Sequence, residues 1–276
     1  MITALLAIAA PLLAQDPPSF GAFQFSNGVH PTVDATFEGT DQRTVERFWR
    51  DELKAISLKT SNKKELTGEA ARIPSASPDT LRIMVGVERP KGSIYTTAHL
   101  AFLTTAGYVG PDSPDRERNA CSEWVQQRTL VLRRQLAQAE VDRQQKLLDN
   151  LKRDLDMLRR DQQRAEDNIR RSQQRIDQSV KDSTEASQQL AAPAVASAGT
   201  DSTAQAAATK QHAKEMAKWE DRRKRAGRTH TAMAKRIQDL QWSLKKNSGD
   251  QAAKQQQITA QEAAVKSAQE KLQAIR

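Results

Sequence analysis

Cysteine is nearly absent from these 276 residues: Cys121 stands alone, so no intramolecular disulfide can form. In an exported chain a lone thiol is buried or joins two copies, and burial against a sheet is the expectation here. Aromatic residues make up 4% and hydrophobic residues 37%, too little for one large globular core at this length. Histidine occurs only at His30, His99, His212 and His230, and none is spaced from another His or Cys as a metal ligand would be. There is no glycine-rich phosphate loop, nucleophile elbow or zinc pattern. The carboxylate pairs Asp154/Asp156 and Glu166/Asp167 lie among arginines on a predicted helix, where a solvated face accounts for them. These absences argue against an enzyme, and no cofactor or metal is expected. His99 falls on a predicted strand where Asp or Glu neighbours could join it, although a structural role is the simpler expectation.

Long apolar runs are missing too. The longest, residues 2–13, would make a helix about 20 Å long, short of a hydrocarbon core about 30 Å thick. Small Ala14 before polar Gln15 fits a signal-peptidase site, so residues 1–14 are predicted to be a signal peptide, although its start carries no Lys or Arg. No Cys follows the run, which excludes a lipoprotein signal. An exported, periplasmic or secreted protein without a stable membrane span is therefore expected. Export also argues against a nucleic-acid partner.

Glycine and proline are likewise missing between Pro114 and Pro193. Against that gap stands the dominant pattern of the chain. Apolar residues recur in alternating steps of 3 and 4 from Val141 to Leu190, where 10 of 15 frame positions are apolar. Only Leu147, Met157 and Val180 are apolar among the remaining 35. A second frame runs from Met216 to Ile275, apolar at 12 of 18 positions, with Trp242 the one large apolar residue off it. Two such helices separated by a soft linker predict an antiparallel coiled coil. The expected spans are 115–190 and 210–276, with a flexible Ala/Ser/Thr-rich tip at 191–209. With a turn near residue 200, the C-terminus should return to the level of Trp124, and Gly249 should bend the second helix at most. Polar frame residues, among them Gln162, Ser172, Ser179, Arg223 and His230, place the weaker pairing near the tip.

Residues 15–31, punctuated by Pro and Gly, are expected to be loose. A compact α+β head is predicted over 32–114. Val33, Ala35 and Phe37 alternate as a half-buried strand, and a helix with Val45, Phe48, Trp49, Leu53 and Ile56 on one face follows. Residues 57–67 read as a loop or ragged strand and 68–73 as a second strand. The clearest strand alternates Leu81, Ile83, Val85 and Val87, and another follows over 94–103 with Ala98, Leu100 and Phe102 on one face. The fold expected is a small βαβββ antiparallel-sheet head followed by a long two-helix coiled coil.

The formal net charge of +9 is uneven. Residues 1–114 hold 11 Lys/Arg against 12 Asp/Glu, whereas residues 115–276 hold 32 against 22. Most of this charge alternates in sign and keeps a long helix soluble. Arg222, Arg223, Lys224, Arg225 and Arg228 break the alternation with five cations in seven residues, the best candidate for an anion- or partner-facing patch.

Residues 38–54 (Glu-Gly-Thr-Asp-Gln-Arg-Thr-Val-Glu-Arg-Phe-Trp-Arg-Asp-Glu-Leu-Lys) resemble the first strand and helix of a small uncharacterised family of exported bacterial proteins. Residues 258–275 are similar to that family's closing coil. The resemblance implies a signal peptide, a small α/β head and a long charged helical hairpin, and it carries no function or site residues. The general plan is also similar to that of Skp-type periplasmic chaperones, as an analogy of parts. The expected function is a non-enzymatic envelope scaffold or interaction module that binds a protein partner or itself. The alternatives are a holdase chaperone using a basic tip and a binder of polyanions or of an anionic membrane surface.

Overall fold

A computed structural model describes residues 17–192 and 202–275. The expected signal peptide and the centre of the expected tip lie outside the described residues. The fold is mixed α+β, an antiparallel sheet with long helices. The chain divides into two compact units, Met1–Gln145 with Ala264–Arg276, and Lys146–Ala263. Among the described residues no helix is long and apolar enough to cross a membrane.

In the first unit the strands are β1 (Ser19–Phe25), β2 (Gly28–Glu38), β3 (Lys59–Asn62), β4 (Leu66–Ala71), β5 (Leu81–Glu88), β6 (Tyr95–Thr104) and β7 (Gly107–Tyr108). They form one sheet in the order β1-β2-β6-β5-β4-β3, with the short β7 also on β6. Every pairing is antiparallel.

The sheet holds β1 and β7 beyond the expected strands, and β3 lies in the stretch read as a loop or ragged strand. The segment expected to be loose contains β1 and the start of β2. Phe25 pairs with Gly28 across a two-residue turn at Ser26-Asn27, and Gly28 takes a φ of +132° that a side chain would resist. The polar stretch after the first helix contributes β3 as a short edge strand. β4 begins earlier than expected and bulges between Gly68 and Ala71, with Ala70 at a φ of +51°.

Helix α1 (Gln42–Ile56) starts where Asp41 accepts a hydrogen bond from the Thr44 backbone N–H at 2.8 Å. It buries Val45, Trp49 and Leu53, each stabilising the fold by about 1.5–3 kcal/mol. The same core takes Phe37 of β2, Ile83 of β5 and Leu100 and Phe102 of β6. Helix α2 (Asp115–Ala191) adds Cys121, Trp124, Val125 and Leu132. Trp124 packs edge-on to Phe102 at 6.0 Å and lies 5.9 Å from Trp49. Cys121 is a buried free thiol.

The second helix, α3 (Ser202–Ala274), begins eight residues before the expected 210 and passes through Gly249 unbroken. Its first turns are rich in alanine, a strong helix former that needs no core, and residues 205–211 are exposed on every side. Burial along α2 follows the seven-residue frame: every frame position from Val141 to Leu190 is buried or half-buried. The off-frame Leu147, Met157 and Val180 are exposed. On α3 the frame positions from Met216 to Ile275 are likewise buried or half-buried, except Arg223 and His230. Both were expected in the seam and both are exposed.

Within the second unit α2 and α3 meet in opposite directions. Lys152 contacts Glu262 at 3.1 Å, Lys254 contacts Asp154 at 3.2 Å, and Arg222 contacts Asp182 at 3.0 Å. Polar frame residues find partners across the pair: Asn247 Nδ2 donates to the Leu158 backbone carbonyl at 3.0 Å, and Gln251 Nε2 to Gln162 Oε1 at 2.7 Å. The pairing is offset from the expected turn at 200. That turn would set Asp182 beside Lys218, whereas it lies beside Arg222, about one helical turn further on. In the first unit the Ile275 carbonyl accepts from Arg134 at 3.4 Å, not at the level of Trp124.

Candidate functional site

Alternation along β2, β5 and β6 sends one set of side chains into the helix-covered core and the other set to the opposite face. On that second face the register places Asp34 opposite His99 and Gly86 opposite His99 on its other side. His99 Nδ1 lies 2.9 Å from Asp34 Oδ1, and Nε2 lies 3.4 Å from Glu88 Oε1. The second contact is an electrostatic neighbour rather than an aligned hydrogen bond. Phe23 of β1 stacks on the imidazole at 4.3 Å and 13°. It can do so because position 86 is glycine, where a Cβ would run into the Phe23 ring.

Beside this group Phe25, Met84 and Ala101 form a second, smaller core, with Phe23 and Tyr108 packed against it. His30 stacks on Tyr108 at 3.9 Å. The turn between β1 and β2 is tied to the segment between β3 and β4. Glu65 accepts from the Ser26 backbone N–H at 3.3 Å and from its hydroxyl at 2.7 Å. Chemically, the Asp34–His99–Glu88 group bridges three strands. Nδ1 is engaged by Asp34, while Nε2 is buried with Glu88 as its neighbouring carboxylate and no hydrogen bond of its own. Among the described residues no group of three or more His, Cys, Asp or Glu is placed to hold a metal ion.

The five cations singled out in the sequence differ in their surroundings. Arg222 turns back onto α2, reaching Asp182 at 3.0 Å and Glu185 at 2.8 Å, with its guanidinium 5.3 Å above the Trp219 ring. Hydrogen bonds from Arg222 and then Gln178 hold the Asp182 carboxyl below its usual range, and the bond to Asp182 raises Arg222 in turn. Lys224 lies 3.9 Å from Glu220, one turn earlier on the same helix. Arg223, Arg225 and Arg228 are exposed, and none makes an ion pair among the described residues. Arg222 is thus a clamp between helices, and the remaining cations face solvent.

The sequence marked His99 as a residue that Asp or Glu neighbours could join, but which carboxylates meet it escaped the sequence because the members come from three strands. Each carried a signal of its own: Asp34, Glu88 and His99 all occupy the polar phase of an alternating strand. No protein-family model matches the chain, and no curated protein is significantly similar to it.

Proposed function

We propose that this chain is a non-enzymatic protein of the cell envelope in which α2 and α3 pair as an antiparallel coiled coil. The pair acts as a scaffold or protein-interaction module. The observation that carries this reading is the seven-residue burial rhythm on both helices, broken only at Arg223 and His230. Such a seam gives the pair a fixed register and leaves its charged outer faces to partners. The imidazole between two carboxylates supports a structural rather than a catalytic role for the sheet. The envelope location rests on the apolar run and Ala14 of the sequence. Crosslinking in intact cells followed by mass spectrometry tests the reading. It should return an envelope protein or a second copy of this chain, and recovery of cytoplasmic partners alone would overturn it.

A second reading, a holdase chaperone, draws on the exposed Arg223, Arg225 and Arg228. It requires that sub-stoichiometric protein suppress aggregation of an unfolded outer-membrane client, and that neutralising these arginines weaken the effect.

A further inference from the structure

The outward faces of α2 and α3 differ in how their charge is arranged. On α2 acids are interspersed with the cations: Arg159, Arg164 and Arg170 pair with Asp156, Asp161 and Asp167 three residues earlier, although Lys146, Arg153, Arg160 and Arg171 are exposed with no ion pair among the described residues. On α3, Lys218, Arg225, Arg228, Lys235, Lys245 and Lys246 are all exposed, and none makes an ion pair among the described residues. Steps of 7, 3, 7 and 10 separate Lys218 through Lys245, Lys246 is next to Lys245, and none lies on the buried frame, so they share the side of the helix turned away from it. Lys224 lies on that side too, loosely paired with Glu220. Only Asp221 and Asp239 oppose them there. At about 1.5 Å per residue the stripe is roughly 40 Å long. Near one end it carries Trp242, 67% exposed, with Lys245 and Lys246 three and four residues on.

We infer that this face of α3 is a docking surface for an anionic lipid bilayer, with Trp242 entering the headgroup layer. Charge complementarity selects a negative occupant. A protein interface needs a packed core depleted of charge, and this stripe offers one large apolar side chain among cations. A nucleic-acid duplex winds its phosphates around an axis, so a straight line of cations meets them only where a backbone crosses. A bilayer is flat along the whole stripe. An aromatic ring beside lysines suits the boundary between headgroups and water. The surface binds lipid whether or not the helices also scaffold a protein partner.

The test is co-sedimentation of the full chain with two vesicle preparations: phosphatidylcholine alone, and phosphatidylcholine with phosphatidylglycerol as the minor component. Binding should require phosphatidylglycerol and weaken as salt rises. Arg228→Gln/Lys235→Gln/Lys245→Gln/Lys246→Gln should lower the partition coefficient by at least about tenfold. Lys146→Gln/Arg153→Gln/Arg160→Gln/Arg171→Gln removes the same charge from exposed positions on α2 and should retain most of the binding. All eight side chains are exposed, so unchanged circular dichroism should accompany both variants. The apolar run at residues 2–13 is common to all, so its own affinity cancels in the comparison. Trp49 and Trp124 are already buried and Trp219 is half-buried on the frame under Arg222, so a blue shift of emission on the anionic vesicles should disappear in Trp242→Phe. Equal loss in both quadruple variants would overturn the assignment. So would equal binding to phosphatidylcholine alone, or tighter binding to a DNA duplex or polyglutamate at the same ionic strength.

Discussion

His99 and Asp34 face each other across β6 and β2 with Nδ1 and Oδ1 2.9 Å apart. An ionised carboxylate can only accept, so Nδ1 carries the hydrogen and donates it. The His99 side chain is 9% exposed. Asp34→Ala therefore leaves a buried donor unsatisfied and should cost about 1–3 kcal/mol in urea unfolding. Asp34→Ala/His99→Leu removes both partners and should be more stable than Asp34→Ala alone. A double variant no better than the single would show that the pair does not matter to stability.

Gly86 is held small by Phe23. A methyl group there would overlap the ring stacked on His99. Gly86→Ala should destabilise the fold by about 1–3 kcal/mol, and Phe23→Leu in the same chain should recover part of the loss. Additive losses in thermal melts would show that the two positions do not meet.

The offset of the helix pair can be read by zero-length carbodiimide coupling. Lys152 should join Glu262, and Lys254 should join Asp154, since both pairs lie within 3.2 Å. A turn centred at 200 would instead put Ser248 beside Lys152 and forbid the first link. Peptide mapping of the crosslinked monomer distinguishes the two registers.

Burial, with a smaller contribution from the Glu117 charge, pushes the Cys121 thiol from 9.0 up to about 12. The folded state therefore keeps its proton where the unfolded state loses one. Stability should be unaffected below pH 9 by this group and should fall as pH rises from about 9 towards 12. Cys121→Ala should remove that part of the alkaline decline. At pH 8 the native thiol should resist aromatic disulfide reagents and react only after unfolding.

Asp41 behaves in the opposite sense. Hydrogen bonds from the Thr44 backbone N–H and then its hydroxyl lower the Asp41 carboxyl below 3.8. Its contribution is present above the unfolded value and is lost as pH falls through the folded one. Asp41→Ala should cost about 1 kcal/mol at neutral pH. Asp41→Asn should cost less and should flatten the acid limb of the stability curve, measured by denaturant titration across pH 2 to 7.

Much of this architecture was legible because hydrophobic residues are scarce. With so few off the frame, Leu148, Leu155, Ile258 and Val265 marked the buried side of each helix unambiguously, and all four are buried. The offset between the helices was not legible. It depends on where α3 begins, and the alanines before residue 210 form helix with no core to announce it. Arg222 was grouped with its neighbours because sequence spacing cannot say that one arginine reaches back to Asp182 while the next points outward. On the sheet, alternation placed Asp34, Glu88 and His99 correctly on the polar face. Which of them met was fixed by register, and register is set by pairing across strands far apart in the chain. β1 was missed because Pro17, Pro18 and Gly21 suggested a loose segment, although Ser26-Asn27-Gly28 is a hairpin signal.

The pairing of β2 with β6 bears on the order of assembly during synthesis. Asp34 must wait for His99, 65 residues later in the chain, and β5, which can pair with β4 first, is joined to the β1–β2 hairpin only through β6. Until then the β1–β2 hairpin emerges with one side unpaired, the kind of edge that recruits other chains. Closing such a distant contact is slow compared with winding a helix. The N-terminal third of the protein is therefore the part most in need of protection before its partner strand arrives.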